Sequence, residues 1–305
     1  MSPPLIAVAP PSGRFESLVT AVELGGGQIV DVPDAEGLVW ADARRADLLP
    51  EVLAAGPAIR WVQLPFAGIE NYVHLLDRDR IWTCGKGVYA PPVAEHVLAM
   101  TLAGFRNLVG YARATDWEPP VGRNLIGADV VVLGGGEITA ELIRLLVPFR
   151  TRTTVVRKRP DPLPGADRTV GLDQLAQVLP TADVVVLALA LTPETEHIIG
   201  AAELSSMATH AWLVNVARGR HVVTDDLVAA LESGSIGGAA LDVTDPEPLP
   251  QGHPLWSLPN CLITPHVGNT PEMGVPLLAD RVTENVRRFA TGEPLLGPVD
   301  IELGY

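Results

Sequence analysis

The apolar positions of this chain fall into two patterns that alternate along most of its length. Short runs rich in β-branched residues read as strands buried on both faces. Longer stretches with apolar residues three and four apart read as helices. Up to about residue 90 the predicted strands are Leu5–Ala9, Gln28–Val32, Gly37–Trp40, Ile59–Leu64 and Ile81–Cys84. Helix-like stretches lie between several of them, at Phe15–Leu24, Asp47–Ala54 and Ile69–Leu76. A long helix is predicted over Val93–Arg113, with Pro91-Pro92 where proline favours a first turn. From Asp129 strands are expected at Asp129–Leu133, Thr153–Arg157, Asp183–Leu189, Ala211–Val216, Ile236–Val243 and Cys261–Thr264. The helices of this second series are Ile138–Val147, Leu172–Leu179, Ala201–Met207 and Thr224–Glu232, and a last helix covers Glu272–Phe289.

Strands alternating with helices imply an α/β protein whose mostly parallel sheets are covered on both faces. Six strands in the second series is the count of a full dinucleotide-binding domain. The last helix can return the chain to the first domain. The expected architecture is therefore a Rossmann dinucleotide-binding domain, residues 93–276, inserted into a discontinuous flavodoxin-like substrate domain, residues 1–92 and 277–305. Ligands of such folds sit at the carboxyl ends of the strands.

The stretch Asp129 to Pro160 gives this expectation its chemistry. The apolar run Val130-Val131-Val132-Leu133 ends in Gly134-Gly135-Gly136, a helical pattern follows, and Thr153-Thr154-Val155-Val156 forms the next strand. Strand, glycine turn, helix, strand is the unit that binds a dinucleotide pyrophosphate at a helix N-terminus. Gly134 allows the tight turn, Gly136 lets the backbone approach the phosphates, and Glu137 and Ile138 are expected among the cofactor-binding residues. Two departures stand out. Thr139 occupies the third position of the glycine pattern, which implies looser packing of helix on strand, and Glu137 brings a negative charge near the pyrophosphate. After the second strand, Arg157-Lys158-Arg159 stands where an acid commonly holds the ribose of NAD. Guanidinium and ammonium groups there attract a 2′-phosphate, so NADP is the favoured cofactor and NAD the possible one.

Composition narrows the partners. With 305 residues, 47% apolar content and a formal net charge of −14, the chain suits a two-domain globular protein and does not suit nucleic acid. No apolar run approaches the roughly 20 residues that span a bilayer, and the start lacks the pattern of a signal peptide. A cytoplasmic location with no membrane partner is the expectation. Cys84 and Cys261 read as buried thiols, and no metal-ligand spacing occurs.

Three strand-end segments carry further chemistry. Arg218 follows a buried strand and precedes glycine, so its guanidinium can meet a carboxylate in bidentate fashion. Glu247 lies in a proline-stiffened segment, and His266 ends the last predicted strand between proline and glycine. Singly, each has an ordinary reading as a surface or structural residue. Together, an acid/base imidazole, a carboxylate that stabilises imidazolium and an arginine for a substrate carboxylate can interconvert a 2-keto acid and a 2-hydroxy acid by hydride transfer.

The chain resembles the D-isomer-specific 2-hydroxyacid dehydrogenase family from about Ile59 to Phe289. The resemblance is carried by VAEHVLAM at Val93–Met100, the glycine loop, ADVVVLALALTPETEHII at Ala182–Ile199 and NVARGR at Asn215–Arg220. AALDVTDPEPLP at Ala239–Pro250, HPLW at His253–Trp256 and NCLITPHVGNT at Asn260–Thr270 complete it. The resemblance implies catalytic roles for Arg218, Glu247 and His266. It further implies cofactor contacts at Ala217 and Asp242, the latter to the nicotinamide carboxamide, and a substrate-carboxylate loop at Phe66, Ala67 and Gly68 whose backbone N–H groups bind. It also implies a homodimer formed through the cofactor domain, and a glyoxylate- or hydroxypyruvate-like substrate. The competing expectation is a non-catalytic nucleotide-sensing protein of the same fold, corepressor-like, to which an intact Arg–Glu–His set is unnecessary. The other histidines, including His96 and His221, are expected to be structural or surface residues.

Overall fold

The computed structural model describes residues 2–302, so Met1 and residues 303–305 of the expected first domain lie outside the described residues. Two compact units are present. One is formed by the chain up to Tyr89 together with the chain from Thr270 onward, and the other by Ala90–Asn269.

The first unit holds a parallel sheet of β1 (Leu5–Ala9), β2 (Gln28–Ile29), β3 (Gly37–Trp40), β4 (Trp61–Gln63) and β5 (Ile81–Thr83), in the order β2-β1-β3-β4-β5. Its core gathers Leu38, Trp40, Leu49, Val62, Leu64 and Trp82. The helix Pro271–Thr291 returns the chain to this unit and packs on the helix Phe15–Leu24, burying Leu278, Val282, Asn285 and Val286 along one stripe. Gly25 makes the approach possible, because a Cβ there would lie 2.6 Å from the Thr283 carbonyl oxygen. A buried polar chain fixes the docking. Asn285 Nδ2 donates to Gln63 Oε1 at 2.8 Å and to the Leu296 carbonyl at 3.0 Å, while Asn285 Oδ1 accepts from the Leu296 N–H at 2.8 Å. The Thr83 hydroxyl donates to Gln63 Oε1 at 2.9 Å and accepts from Trp61 Nε1 at 2.8 Å.

The second unit holds β6 (Asp129–Leu133), β7 (Arg152–Val156), β8 (Arg168–Val170), β9 (Val184–Leu187), β10 (Trp212–Asn215), β11 (Gly238–Leu241) and β12 (Cys261–Ile263). All are parallel, in the order β12-β11-β10-β9-β6-β7-β8, the doubly wound arrangement. Alternate residues serve opposite faces. Val130, Val132, Val184 and Val186 join the core under the helix Ala90–Phe105, while Val131, Leu133, Val185 and Leu187 join the core on the other side. Cys84 and Cys261 are buried, and burial pushes the Cys261 thiol up to about 12. Among the described residues no helix is long and apolar enough to cross a membrane.

Several elements differ from expectation. The sheet of the second unit has seven strands rather than six. The extra strand, β8, buries only Val170, so its sequence lacks an apolar run. The expected helix Val93–Arg113 is two helices, Ala90–Phe105 and Leu108–Arg113, parted at Asn107, whose φ is +50°. The helix expected over Leu172–Leu179 shrinks to Leu175–Val178 between two 3₁₀ turns, the second containing Pro180. In the first unit the Ile69–Leu76 stretch yields only a 3₁₀ turn, Val73–Leu75.

The asparagine link gives a direct stability test. Asn285→Leu strands the Leu296 backbone groups and Gln63 in a buried site, so we expect a loss of roughly 2–4 kcal/mol. Urea denaturation of the variant and the parent measures it; a change below 0.5 kcal/mol, on the order of a surface substitution, would contradict the role.

Candidate active site

The register of the second unit builds the site. Leu133 pairs with Leu187, Leu187 with Asn215, Asn215 with Leu241, and Leu241 with Ile263. Five neighbouring strands therefore stop at one row, and the loops that follow them emerge side by side at the carboxyl edge.

The first of these loops is the glycine turn. Gly134 has φ +109°, and a side chain there would overlap the Ala188 carbonyl, so only glycine fits. Gly136 is the N-cap of the helix Glu137–Leu146; no side chain caps it, and a Cβ on Gly136 would face open space. The first N–H groups of that helix are thus left for an anion. Thr139, expected to hold helix and strand apart, is instead fully buried and donates its hydroxyl to the Gly134 carbonyl at 2.8 Å, closing the turn upon itself. Glu137 is exposed in the first helical turn, where the helix dipole favours an acid. Both departures from the glycine pattern have local structural reasons.

The basic triplet follows β7. The Gly134 N–H donates to the Val156 carbonyl at 2.8 Å, which brings the end of β7 beside the turn. A Cβ on Gly135 would lie 2.8 Å from Arg157 Cδ, so the Arg157 side chain covers that glycine. Among the described residues its guanidinium has no acidic partner. Lys158 differs, pairing with Glu194 at 2.8 Å, and Arg159 is exposed.

After β10, Asn215 shapes the loop that carries Arg218. It is 1% exposed; its Oδ1 accepts from the Ala217 N–H at 3.0 Å and its Nδ2 donates to the Arg218 carbonyl at 2.9 Å. Arg218 Nη1 donates to the Ala217 carbonyl at 2.8 Å. Gly219 lets this loop lie on the next one, because any Cβ would overlap the Thr244 carbonyl. That next loop, after β11, carries Glu247, and the loop after β12 carries His266. His266 Nδ1 and Glu247 Oε1 are 2.7 Å apart, with side chains 53% and 42% exposed. With Nδ1 engaged, Nε2 is the ring nitrogen left to face a ligand.

Asp242 anchors the turn at His266. Its Oδ1 accepts from the Thr264 hydroxyl at 2.6 Å and the Val267 N–H at 2.9 Å, and its Oδ2 from the Gly268 N–H at 2.9 Å. Burial to 3% exposure would by itself raise this carboxyl. Hydrogen bonds from His96, Thr264, Val267 and Gly268 outweigh burial and hold it at about 2. His221, expected to be structural or surface, is fully buried with Nδ1 2.9 Å from the Thr195 carbonyl, and burial lowers it.

In the first unit the residues 65–68 follow β4. The Phe66 carbonyl accepts from the Gly85 N–H at 3.1 Å, and the Phe66 ring stands 5.7 Å from Tyr89 and 5.0 Å from the Arg14 guanidinium. The Tyr89 hydroxyl donates to the Pro65 carbonyl, and burial pushes that hydroxyl up. Among the described residues the N–H groups of Phe66, Ala67 and Gly68 have no acceptor, as an anion-binding loop requires.

Asn215 and Thr264 carried no role in the sequence expectations, and His96, expected to be structural or surface, stands against Thr264 and Asp242. A polar side chain closing an otherwise apolar strand, as in Trp212–Asn215, is the signal that could have found the first.

A pH test follows from Asp242. Its carboxyl is near 3.8 when unfolded and about 2 when folded, so its stabilisation is complete above about pH 4 and lost as pH falls through 2. We expect Asp242→Asn to cost stability at pH 7 and the difference from the parent to shrink by roughly 2–3 kcal/mol on acidification. Urea denaturation between pH 5 and 2 reads this, and a pH-independent difference would contradict it.

The comparisons with known proteins agree with the geometry. An uncharacterised protein from the proB 3′ region of Corynebacterium melassecola is 38% identical over 300 residues, covering 95% of this chain and 97% of that one. Glyoxylate/hydroxypyruvate reductase A of Serratia proteamaculans is 32% identical over 290 residues, covering 90% and 89%. The crystal structure of a D-isomer specific 2-hydroxyacid dehydrogenase from Xanthobacter autotrophicus Py2, in complex with NADPH and MES, superimposes with a TM-score of 0.85 at 28% identity, covering 100% of both chains. Residues 97–268 match the profile described as D-isomer specific 2-hydroxyacid dehydrogenase, NAD binding domain. The chain belongs to the D-isomer specific 2-hydroxyacid dehydrogenase family and is an NAD(P)-dependent oxidoreductase.

Proposed function

We propose that this protein is an NADPH-dependent reductase of a small 2-keto acid of the glyoxylate or hydroxypyruvate kind. The observation that carries the reading is the 2.7 Å contact of His266 with Glu247, on a loop edge shared with Arg218 and the glycine turn. A bound nicotinamide supplies the hydride. His266 delivers a proton from Nε2 to the carbonyl oxygen as charge develops there. Glu247 fixes the ring through Nδ1 and stabilises the positive charge it carries before transfer. Arg218 binds the substrate carboxylate and stabilises the oxygen, a role its planar guanidinium suits. In the first unit, the N–H groups of Phe66, Ala67 and Gly68 are able to donate to a carboxylate.

The uncapped helix at Glu137 and the bare Gly136 suit a pyrophosphate, with Ile138 in the first turn behind them. Arg157 supports NADPH over NADH: it stands against Gly135 and no acid occupies the end of β7. Lys158, already paired with Glu194, contributes less than its place in the triplet suggests. The relative from Serratia is named for glyoxylate and hydroxypyruvate, which motivates the substrate class.

Steady-state kinetics on a panel of 2-keto acids tests the reaction. We expect turnover of a short 2-keto acid and a roughly 10²–10⁴-fold loss of kcat in His266→Ala. Normal turnover in that variant would refute the assignment, and tight nucleotide binding without turnover in the parent would favour the sensor.

Cofactor choice has its own test. Arg157→Ser is expected to lower kcat/KM for NADPH about ten- to a hundredfold, the worth of a charge-assisted hydrogen bond, and to leave NADH nearly unaffected. Equal losses with both cofactors would show that Arg157 does not read the 2′-phosphate.

A further inference from the structure

His96 lies within the helix Ala90–Phe105, with its side chain 20% exposed. Its Nε2 stands 3.0 Å from Thr264 Oγ1 and 3.3 Å from Asp242 Oδ1. Thr264 has one hydroxyl proton, and the 2.6 Å spacing of Oγ1 from the Asp242 carboxylate commits that proton to Asp242. The hydroxyl can then only accept from the imidazole. Nε2 therefore carries a proton, and donation runs from His96 through Thr264 to Asp242.

What this chain supports is the turn at His266. Asp242 accepts from the N–H groups of Val267 and Gly268, both at 2.9 Å, on the far side of that turn. The His266 N–H donates to the Asp242 carbonyl at 2.8 Å and the Thr264 carbonyl at 3.0 Å, on the near side. Between these contacts His266 holds φ +55°, a left-handed conformation uncommon for a residue with a side chain and kept only where its surroundings impose it. The ring of His96 also borders the turn directly, because a Cβ on Gly268 would lie 3.6 Å from His96 Cδ2.

We propose that His96 is a positioning residue for His266, fixing the left-handed turn that aims its imidazole by donating through Thr264 to Asp242. The proposal rests on the reading of His266 as proton donor. Loss of the ring removes the donor to Thr264 Oγ1 and the imidazole 3.3 Å from the Asp242 carboxylate, and it opens space beside Gly268, so the turn relaxes and the His266 ring shifts. A displacement of about 1 Å at a reacting group costs on the order of a hundredfold.

The test uses the full chain. His96→Ala is expected to lower kcat roughly ten- to a hundredfold with KM for the keto acid moving less than about threefold. His96→Gln, whose terminal N–H reaches the same place as the imidazole Nε2–H, is expected to recover most of the rate. Amide hydrogen exchange at Val267 and Gly268 is read on the same proteins. It should quicken in the Ala variant and stay near the parent in the Gln variant. Exchange does not depend on turnover, so this pattern in a protein that reduces no keto acid would uphold the positioning network and reject the reaction. Should His96→Ala fail to fold, Thr264→Val and Thr264→Ser replace the pair, the first breaking the donor chain and the second keeping it. Parent-like rate and exchange in the breaking variant would overturn the proposal. So would equal losses in the breaking and conservative variants with melting temperatures intact.

Discussion

Everything chemical in the second unit depends on where its strands stop. Leu133, Leu187, Asn215, Leu241 and Ile263 form one row across the sheet. A parallel sheet places every strand's carboxyl end on the same edge, and shared register leaves no strand to overshoot its neighbours. Loops from distant parts of the chain are therefore laid next to each other before any side chain makes a specific contact. The pair His266 and Glu247, 19 residues apart, meets across that edge without either loop spanning a strand.

The loops are then held by buried polar side chains. Asn215 bonds the backbone on both sides of Ala217, Thr139 bonds the carbonyl of Gly134, and Asp242 collects the N–H groups beyond His266. Each replaces a backbone partner that regular structure no longer supplies past the strand end, where an unmet group would cost about 1–3 kcal/mol. The same device appears in the first unit, where Asn285 satisfies Leu296 and Gln63 together. At these positions a buried polar side chain makes irregular backbone keep one shape.

Much of this was legible in the sequence, for reasons specific to the residues. Val130 to Leu133 and Val184 to Leu187 are buried on both faces and announce themselves as continuous apolar runs. The glycine turn, Arg218, Glu247 and His266 could be placed at strand ends by spacing and by the motifs around them. β8 could not, since an edge strand with a single buried residue carries no run, and neither could the break at Asn107 inside an apolar helical pattern. Thr139 reads as a misfit against a glycine template, yet its hydroxyl supplies the hydrogen bond that makes the turn. The tie between His96 and Thr264 spans 168 residues and depends on which way a helix faces, which no local pattern encodes.

The first unit is built from both ends of the chain, and this has a consequence for biosynthesis. Gln63 meets Asn285 only after a further 222 residues have been added. At ordinary translation rates of about 5–20 residues per second, that interval is roughly 10–40 s. Throughout it, the stripe of the helix Phe15–Leu24 that buries Leu18, Ala21 and Val22 lacks its covering helix. The intervening unit, Ala90–Asn269, is contiguous and can complete its core first, which shortens the effective loop to be closed and its entropic cost. The nucleotide-binding half of this protein is thus the natural first product of folding, and the sheet that emerges earliest is the last to be finished.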